Sequence, residues 1–417
     1  MRLSRRSAIA VGVFGLLAAL AVLGRWYESQ RSDSGPASDS VTVNVTNGDD
    51  RGPGTLREAL FLVAAADGKA SISIEVPKVI VASALPPIVN AHGVSLVAQQ
   101  PGVKIDARNL KSGPVFDVAG ANISIEGLHI EKCAGAGILL RATHFTLTRT
   151  TVESCDVGVD VAENARDVLL ERNRFLDNRI GVRFAASSRN TAVVKNEFSG
   201  GKDAGVWAVR SEPDLRGAAI SVRDNKFTGD RIGMLAGNVS VLAERNELVR
   251  AREAAIHIVG AGAVVRGNRV SGGGSMGIVA ENARAAIIDN NELDSLAAYG
   301  IMVRGSSNTL VRSNRLHNCA YGLAFVLGDA RSPSTAVENT VIEPKFNGID
   351  VIGDSPILRR NHVLRARALA LHVEDFERPD GEKVLAKPFL EGNVFGNSDA
   401  AVATGSRRPA APAVTTR

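Results

Sequence analysis

The sequence is poor in rings, thiols and imidazoles. Aromatic residues make up 4% of its 417 positions, with 2 Trp and 3 Tyr, and it holds 3 Cys and 7 His. So few rings exclude one large core packed around aromatics. They leave Val, Ile, Leu and Ala to fill thin, repeated layers. The histidines are scattered, so no metal site and no cofactor is expected, and calcium is the one ion left open. No HExxH, phosphate-binding loop or CxxC is present. A basic cluster is missing too. The net charge is +5, but Arg2, Arg5, Arg6 and Arg25 against Glu28 place most of it at the N-terminus. The remainder is nearly balanced, which argues against nucleic acid as a partner.

Two features fill the space left by these absences. The first is a leader. Ser7 to Gly24 carry no charge and follow three arginines, the pattern of a signal peptide or an N-terminal anchor with its positive end inside. Residues 1–26 are therefore read as signal peptide or membrane anchor, and the polar stretch 27–40 as a linker. The bulk of the chain is then expected outside the cytoplasm, in the periplasm, secreted or held at the inner membrane by this segment.

The second feature is a repeat. Asn, any residue, then a large apolar residue recurs as Asn173-Arg174-Phe175, Asn196-Glu197-Phe198, Asn225-Lys226-Phe227, Asn246-Glu247-Leu248 and Asn268-Arg269-Val270. It continues through Asn291, Asn314, Asn339, Asn361 and Asn393, at a spacing of about 22 residues, the size of one solenoid unit. A second phrase runs in phase: Gly, apolar, any, apolar, as in Gly181-Val182-Arg183-Phe184 and Gly300-Ile301-Met302-Val303. Ala255 and Ala370 fill the glycine slot in two copies. A third apolar stretch precedes each Asn. The period-two alternation is that of strands, so each unit holds three short strands and three turns. Stacked units form parallel sheets about 4.8 Å apart per strand. An Asn in the same turn of every coil can donate to one neighbour and accept from another, which makes the asparagine column structural.

On these motifs the chain resembles the right-handed parallel β-helix, or pectin-lyase-like, superfamily over residues 41–400. The resemblance implies an all-β solenoid of about 12–14 three-strand coils. Thr55 and Glu58, in Gly54-Thr55-Leu56-Arg57-Glu58-Ala59-Leu60, form a capping box and look like the helix that closes the first coil of such solenoids. Residues 401–417 are read as a disordered tail.

From each Asn to the next glycine slot the distance is 8 or 9 residues, whereas the stretch after the Gly-led strand varies widely. The insertions Arg210–Gly217, Leu327–Thr335 and Glu374–Lys387 all follow that strand. Long loops on one edge wall a binding face, and in the family resembled the substrate groove runs along the same sheet. The outward column of the Gly-led strand reads Leu139, Asp160, Arg183, Trp207, Leu235, His257, Val279, Met302, Ala324, Asp350 and His372.

Arg pairs with carboxylates and Trp offers a flat face to a sugar ring. An acidic polysaccharide is therefore the expected partner. Removal of the proton beside a uronate carboxylate, as in a lyase or C5-epimerase, is the expected chemistry if the protein is an enzyme. Arg183, His257 and Lys202 are the catalytic candidates; Asp160, Trp207, Arg231, Arg252, Asp350 and His372 are the binding candidates. The Asp-Pro-His-Asp of alginate epimerases of this fold is missing, as is the Asn-Thr-Asp and Gly-His-Gly pair of polygalacturonases. Their absence keeps open a non-catalytic scaffold or accessory module in polysaccharide export or periplasmic assembly. Cys133 and Cys155 fall at nearly the same place in adjacent coils, as a disulfide or as stacked thiols. Cys319 lies too many coils away to pair with Cys155. The oligomeric state is not legible.

Overall fold

A computed structural model describes residues 41–163, 165–185, 188–210, 220–260, 262–274, 276–396 and 400–405. The expected leader and linker (1–40) and most of the expected tail (406–417) lie outside these residues. Among the described residues no helix is long and apolar enough to cross a membrane. The fold is a right-handed β-solenoid of about 13 coils in all. It forms two compact units. The first runs to residue 202 and includes 206–225 and 239–242, and the second holds 203–205, 226–238 and everything from 243 onward. A final strand, Ala400–Gly405, pairs with Leu369–Glu374, so the coil continues past the boundary expected at 400.

Within each unit every strand pairs in parallel with its counterpart one coil away. In the first unit Phe145 pairs with Val168, Val152 with Phe175, and Asp160 with Arg183. In the second Ile288 pairs with Val311, Leu293 with Leu316, and Met302 with Ala324. The described exception is an antiparallel hairpin, Phe376–Glu377 with Lys383–Val384, inside the insertion after the last Gly-led strands.

The alternation sends one residue in two into the coil. Val159, Val182, Ile278, Val311 and Leu358 are fully buried. Phe116, Phe145, Phe175, Phe184, Phe198, Phe227 and Phe325 also point inward, and Phe175 stacks on Phe198 one coil away at 4.9 Å. This explains why the two phrases stay in phase. A Cβ at Gly277 would meet Leu293 Cδ2 at 2.5 Å, and one at Gly322 would meet Val341 Cγ1 at 2.6 Å. The large residue two places after each Asn occupies the space that a side chain in the glycine slot would need.

The asparagine column is a ladder. In the second unit the Asn246 N–H and Nδ2 both donate to Asn268 Oδ1, at 2.9 and 3.0 Å. Asn268 repeats this toward Asn291 and also donates from Nδ2 to Ala243 O at 3.0 Å. The pattern runs on through Asn314, Asn339 and Asn361 to Asn393. In the first unit Asn173, Asn196 and Asn225 are joined in the same way. The preceding residue is left-handed in coil after coil: Arg172, Lys195, Asp224, Arg245, Asn290, Ser313, Glu338 and Arg360 all have φ between 48° and 57°. That strain of about 1 kcal/mol per residue is held by the ladder bonds beside it.

At the start of the first unit the helix Leu56–Ala65 buries Leu56, Ala59, Leu60 and Val63. Thr55 accepts from the Glu58 N–H as expected, and Glu58 accepts at 2.6 Å from the Gly54 N–H, one residue before the N-cap whose N–H a capping box would use. Cys133 and Cys155 form a disulfide with Cα atoms 4.3 Å apart. Cys319 is a buried free thiol, pushed up to about 11 by burial.

Replacing Asn268 by Ala removes the oxygen that accepts from the Asn246 N–H and Nδ2 and the amide that donates to the Ala243 carbonyl, in a dry turn. We expect it to destabilise the protein by roughly 2–4 kcal/mol. Asn393→Ala, at the half-exposed end of the ladder, is expected to cost about 1 kcal/mol or less, because water replaces the lost partner. Urea unfolding of both variants checks this, and equal losses would mean that the ladder does not carry the turn.

Candidate functional site

The Gly-led sheet carries most of the expected residues. In the first unit Arg183 donates to Asp160 through Nε and Nη2, at 2.8 and 2.6 Å. The same fork recurs in the turn entering these strands, where Arg179 grips Asp156 at 2.6 and 3.1 Å. The hydrogen bond to Asp160 pushes the Arg183 guanidinium up, and the bond from Arg179 pulls the Asp156 carboxyl down. Asp160 and Arg183 thus come together as expected, but as a closed pair. Trp207 is half-buried in the next strand, Ala204–Val209, and Lys202 is exposed just before it.

His257, Arg231 and Arg252 belong to the second unit. His257 meets Glu281 at 3.2 Å, and Arg231 meets Glu253 at 3.2 Å. The Arg252 N–H donates to Asp230 O at 2.9 Å.

The outward column is not uniformly open. Val279, Ala324 and Asp350 are 2% exposed or less. Asp350 is the unusual member, an acidic side chain on the Gly-led sheet with almost no exposure. Asn347 Nδ2 donates to its Oδ1 at 2.7 Å, and His372 Nδ1, one coil on, lies 3.1 Å from the same atom. With Nδ1 donating to Asp350 Oδ1, Nε2 is the nitrogen left to exchange a proton. Glu374 lies 3.7 Å from Nε2. The bond to Asp350 and the charge of Glu374 push the His372 imidazolium up. Asp350 Oδ2 finds no hydrogen-bond partner among the described residues. A buried carboxylate oxygen left in that state costs about 1–3 kcal/mol, which marks a position awaiting a donor.

Beside this centre stands a feature the sequence reading missed. Tyr299, Tyr321 and Phe346 stack from coil to coil, with ring centroids 4.7 and 5.0 Å apart. Burial and the Asp350 charge push the Tyr299 phenol well up, and the same two causes push up Tyr321. Both phenols therefore stay protonated. The signal was available, since two of the three tyrosines precede a glycine slot, as Tyr299-Gly300 and Tyr321-Gly322. The walls follow the expected pattern in part. The insertion 327–335 and the hairpin within 374–387 flank Gly353, where a Cβ would meet Phe376 and Leu327. Most of the insertion 210–217 lies outside the described residues.

Two other groupings of charged side chains lie outside this centre. A groove of about 810 Å³ on the Asn-led sheet of the second unit is lined by Arg245, Arg269, Glu292, Asp294, Arg315 and His317, among others. Its charges mostly satisfy one another: Arg269 pairs with Glu292 at 3.0 Å, His317 with Asp294 at 2.6 Å, and Arg245 with Glu244 at 2.8 Å. In the first unit His129, Glu131 and Glu153 gather their ligand atoms within 4.8 Å. Lys104 and Lys132, at 3.8 and 3.4 Å, already balance Glu131.

Comparison with known proteins fits this architecture. The model of the right-handed β-helix region matches residues 88–220 and 214–363. The chain belongs to that family. Among curated proteins none matches the sequence. Among solved structures, the chain is similar to the A-module of a mannuronan C-5 epimerase of Azotobacter vinelandii, at 14% identity and a TM-score of 0.52, over 88% of this chain and 99% of that one. It is similar to the catalytic unit of an α-1,3-glucanase of Streptomyces thermodiastaticus, at 14% identity and a TM-score of 0.51, over 89% and 71%. It is also similar to a surface adhesin of Streptococcus pneumoniae, at 12% identity and a TM-score of 0.54, over 83% and 94%. These likenesses show the fold.

Asp354, four residues after Asp350, is 2% exposed, and burial pushes its carboxyl up to about 6. A raised acid stabilises the fold below its unfolded value of 3.8, and that stability is lost as pH rises through about 6. Asp354→Asn keeps an acceptor for the Ser355 and Gly328 N–H groups without the charge. It is expected to raise the melting temperature at pH 8 and leave it unchanged at pH 4, as read by thermal melts at both pH values.

Proposed function

We propose that this protein binds an acidic polysaccharide along the Gly-led sheet and processes it by proton transfer at His372. The observation that carries the reading is the buried Asp350, which holds His372 by Nδ1 and keeps one oxygen unpartnered beside a stacked aromatic wall. Its chemistry is that of a lyase or a C5-epimerase. Neutral His372 Nε2 takes the proton beside the uronate carboxylate. In elimination the adjacent C–O bond to the leaving sugar then breaks, and the leaving oxygen takes a proton. In epimerisation a proton returns to the same carbon from the opposite face. Tyr299 and Tyr321, kept protonated on the same sheet, are the available donors. His257 is a weaker choice for the base, because its Nε2 already faces Glu281. Arg231 and Arg252, in the same unit as His372, serve in binding the polymer. Similarity to an epimerase and a glucanase supports work on polysaccharide in general. The protein works outside the cytoplasm, delivered or anchored by its first 26 residues, and the Cys133–Cys155 disulfide supports an oxidising compartment.

A second reading, a non-catalytic guiding module, draws support from the first unit, where Arg179 and Arg183 are locked by their own aspartates.

The test is incubation of the full chain in heavy water with polymannuronate, polygalacturonate and a neutral glucan, with products read by mass spectrometry. Unsaturated fragments identify a lyase, and deuterium uptake without cleavage an epimerase. His372→Ala is expected to lower kcat by about 10²–10⁴-fold, and the wild-type rate is expected to rise with pH as His372 loses its proton. Water-added fragments, or unchanged polymers that nonetheless bind, overturn the proton-transfer reading, and the latter favours the guiding module.

A further inference from the structure

Stacking along the coil axis uses up ring faces. Tyr321 gives one face to Tyr299 and the other to Phe346. Phe346 gives one face to Tyr321, and yet it remains 50% exposed. The reason lies one coil on. The register that pairs Asp350 with His372 sets Phe346 beside Ala368 and Lys345 beside Arg367. The backbone agrees, since the Ala368 N–H donates to Phe346 O at 3.3 Å and the Arg367 N–H to Pro344 O at 3.2 Å. Alanine leaves the outer face of the Phe346 ring open, where a longer side chain would have continued the stack.

Lys345 precedes Phe346 in its turn, and Arg367 precedes Ala368 one coil on. Both are exposed, and neither has an ion-pair partner among the described residues. The nearest acid in the turn, Glu343, is already engaged, by Arg365 at 2.8 Å and by His317 at 3.5 Å. Elsewhere in this unit cations facing a neighbouring coil are commonly closed by an acid, as Arg269 is by Glu292 and Arg312 by Asp289. Here two adjacent coils place a cation at the same position with no acid between them. An apolar ring face bordered by two unshared cations matches a carboxylated pyranose: the C–H face of the sugar lies on the ring, and its carboxylate lies between ammonium and guanidinium.

We propose that Lys345, Phe346 and Arg367 form a subsite for one uronate residue of the bound polymer, on the turn edge of the sheet that carries Asp350 and His372. The inference rests on the glycan-binding reading above. It goes further by fixing which ring is held by charge and which edge of the sheet the chain crosses.

The test is calorimetric titration of the full-length protein with hexagalacturonate and with its fully methyl-esterified, neutral counterpart. Lys345→Ala/Arg367→Ala is expected to weaken the acid at least tenfold, to flatten the salt dependence of its binding, and to change the ester less than twofold. Phe346→Ala and Ala368→Leu, the latter covering the open face, are expected to weaken both ligands. All four side chains reach the surface, so melting temperatures near the wild type identify folded variants. Wild-type affinity for the acid in the double variant overturns the subsite and leaves the glycan-binding reading standing. Failure of the wild-type protein to bind either hexamer or a matching hexamannuronate overturns both.

Discussion

The structure depends on one hydrogen-bond arrangement, the asparagine whose side chain ties its own coil to the coils on either side. Its oxygen accepts the backbone N–H and the side-chain amide of the previous Asn, while its own amide reaches a carbonyl one coil back and the next Asn oxygen. These bonds hold a left-handed turn residue that would otherwise be costly, and they fix the register between coils. Register decides everything else, because a slip of one residue would turn the apolar set outward.

Once register is fixed, function is built in columns. Residues about 22 positions apart become neighbours at strand spacing, so chemistry is assembled between coils rather than within one. Asp350 reaches His372 across one step, and Tyr299, Tyr321 and Phe346 align across two. The same rule builds most of the cross-coil ion pairs, including the Asp160–Arg183 fork. A closed pair stiffens the surface but adds little stability where it is exposed. The positions that break the pattern therefore carry more information: a buried carboxylate with a free oxygen, a ring with an open face, and cations with no acid between them.

The repeat phrases made the fold legible. Asn-x-apolar and Gly-apolar-x-apolar name the turn and the face of each strand, and the outward column from Leu139 to His372 follows the observed pairing in each unit. Other features were not legible. Period two says which way a side chain points, not what covers it, so Asp350 read as an open groove residue although it is 2% exposed. Arg183 read as a catalytic candidate, because nothing local shows that it and Asp160 share one fork. Phe346 sits before the strand phrase, in a turn, and entered no column. Cys133 and Cys155 were placed side by side by the repeat, but their bond depends on how the turn aims the sulfurs.

The sequence by itself determined the coil, the ladder and the direction of each side chain, because these follow from a local pattern repeated at a fixed spacing. The tertiary structure alone decided which outward residues are shielded, which charges cancel and which ring face stays open. Those properties belong to pairs of residues a coil apart, and they depend on side-chain reach and on the loops that close over the sheet, neither of which is written in either residue's own neighbourhood.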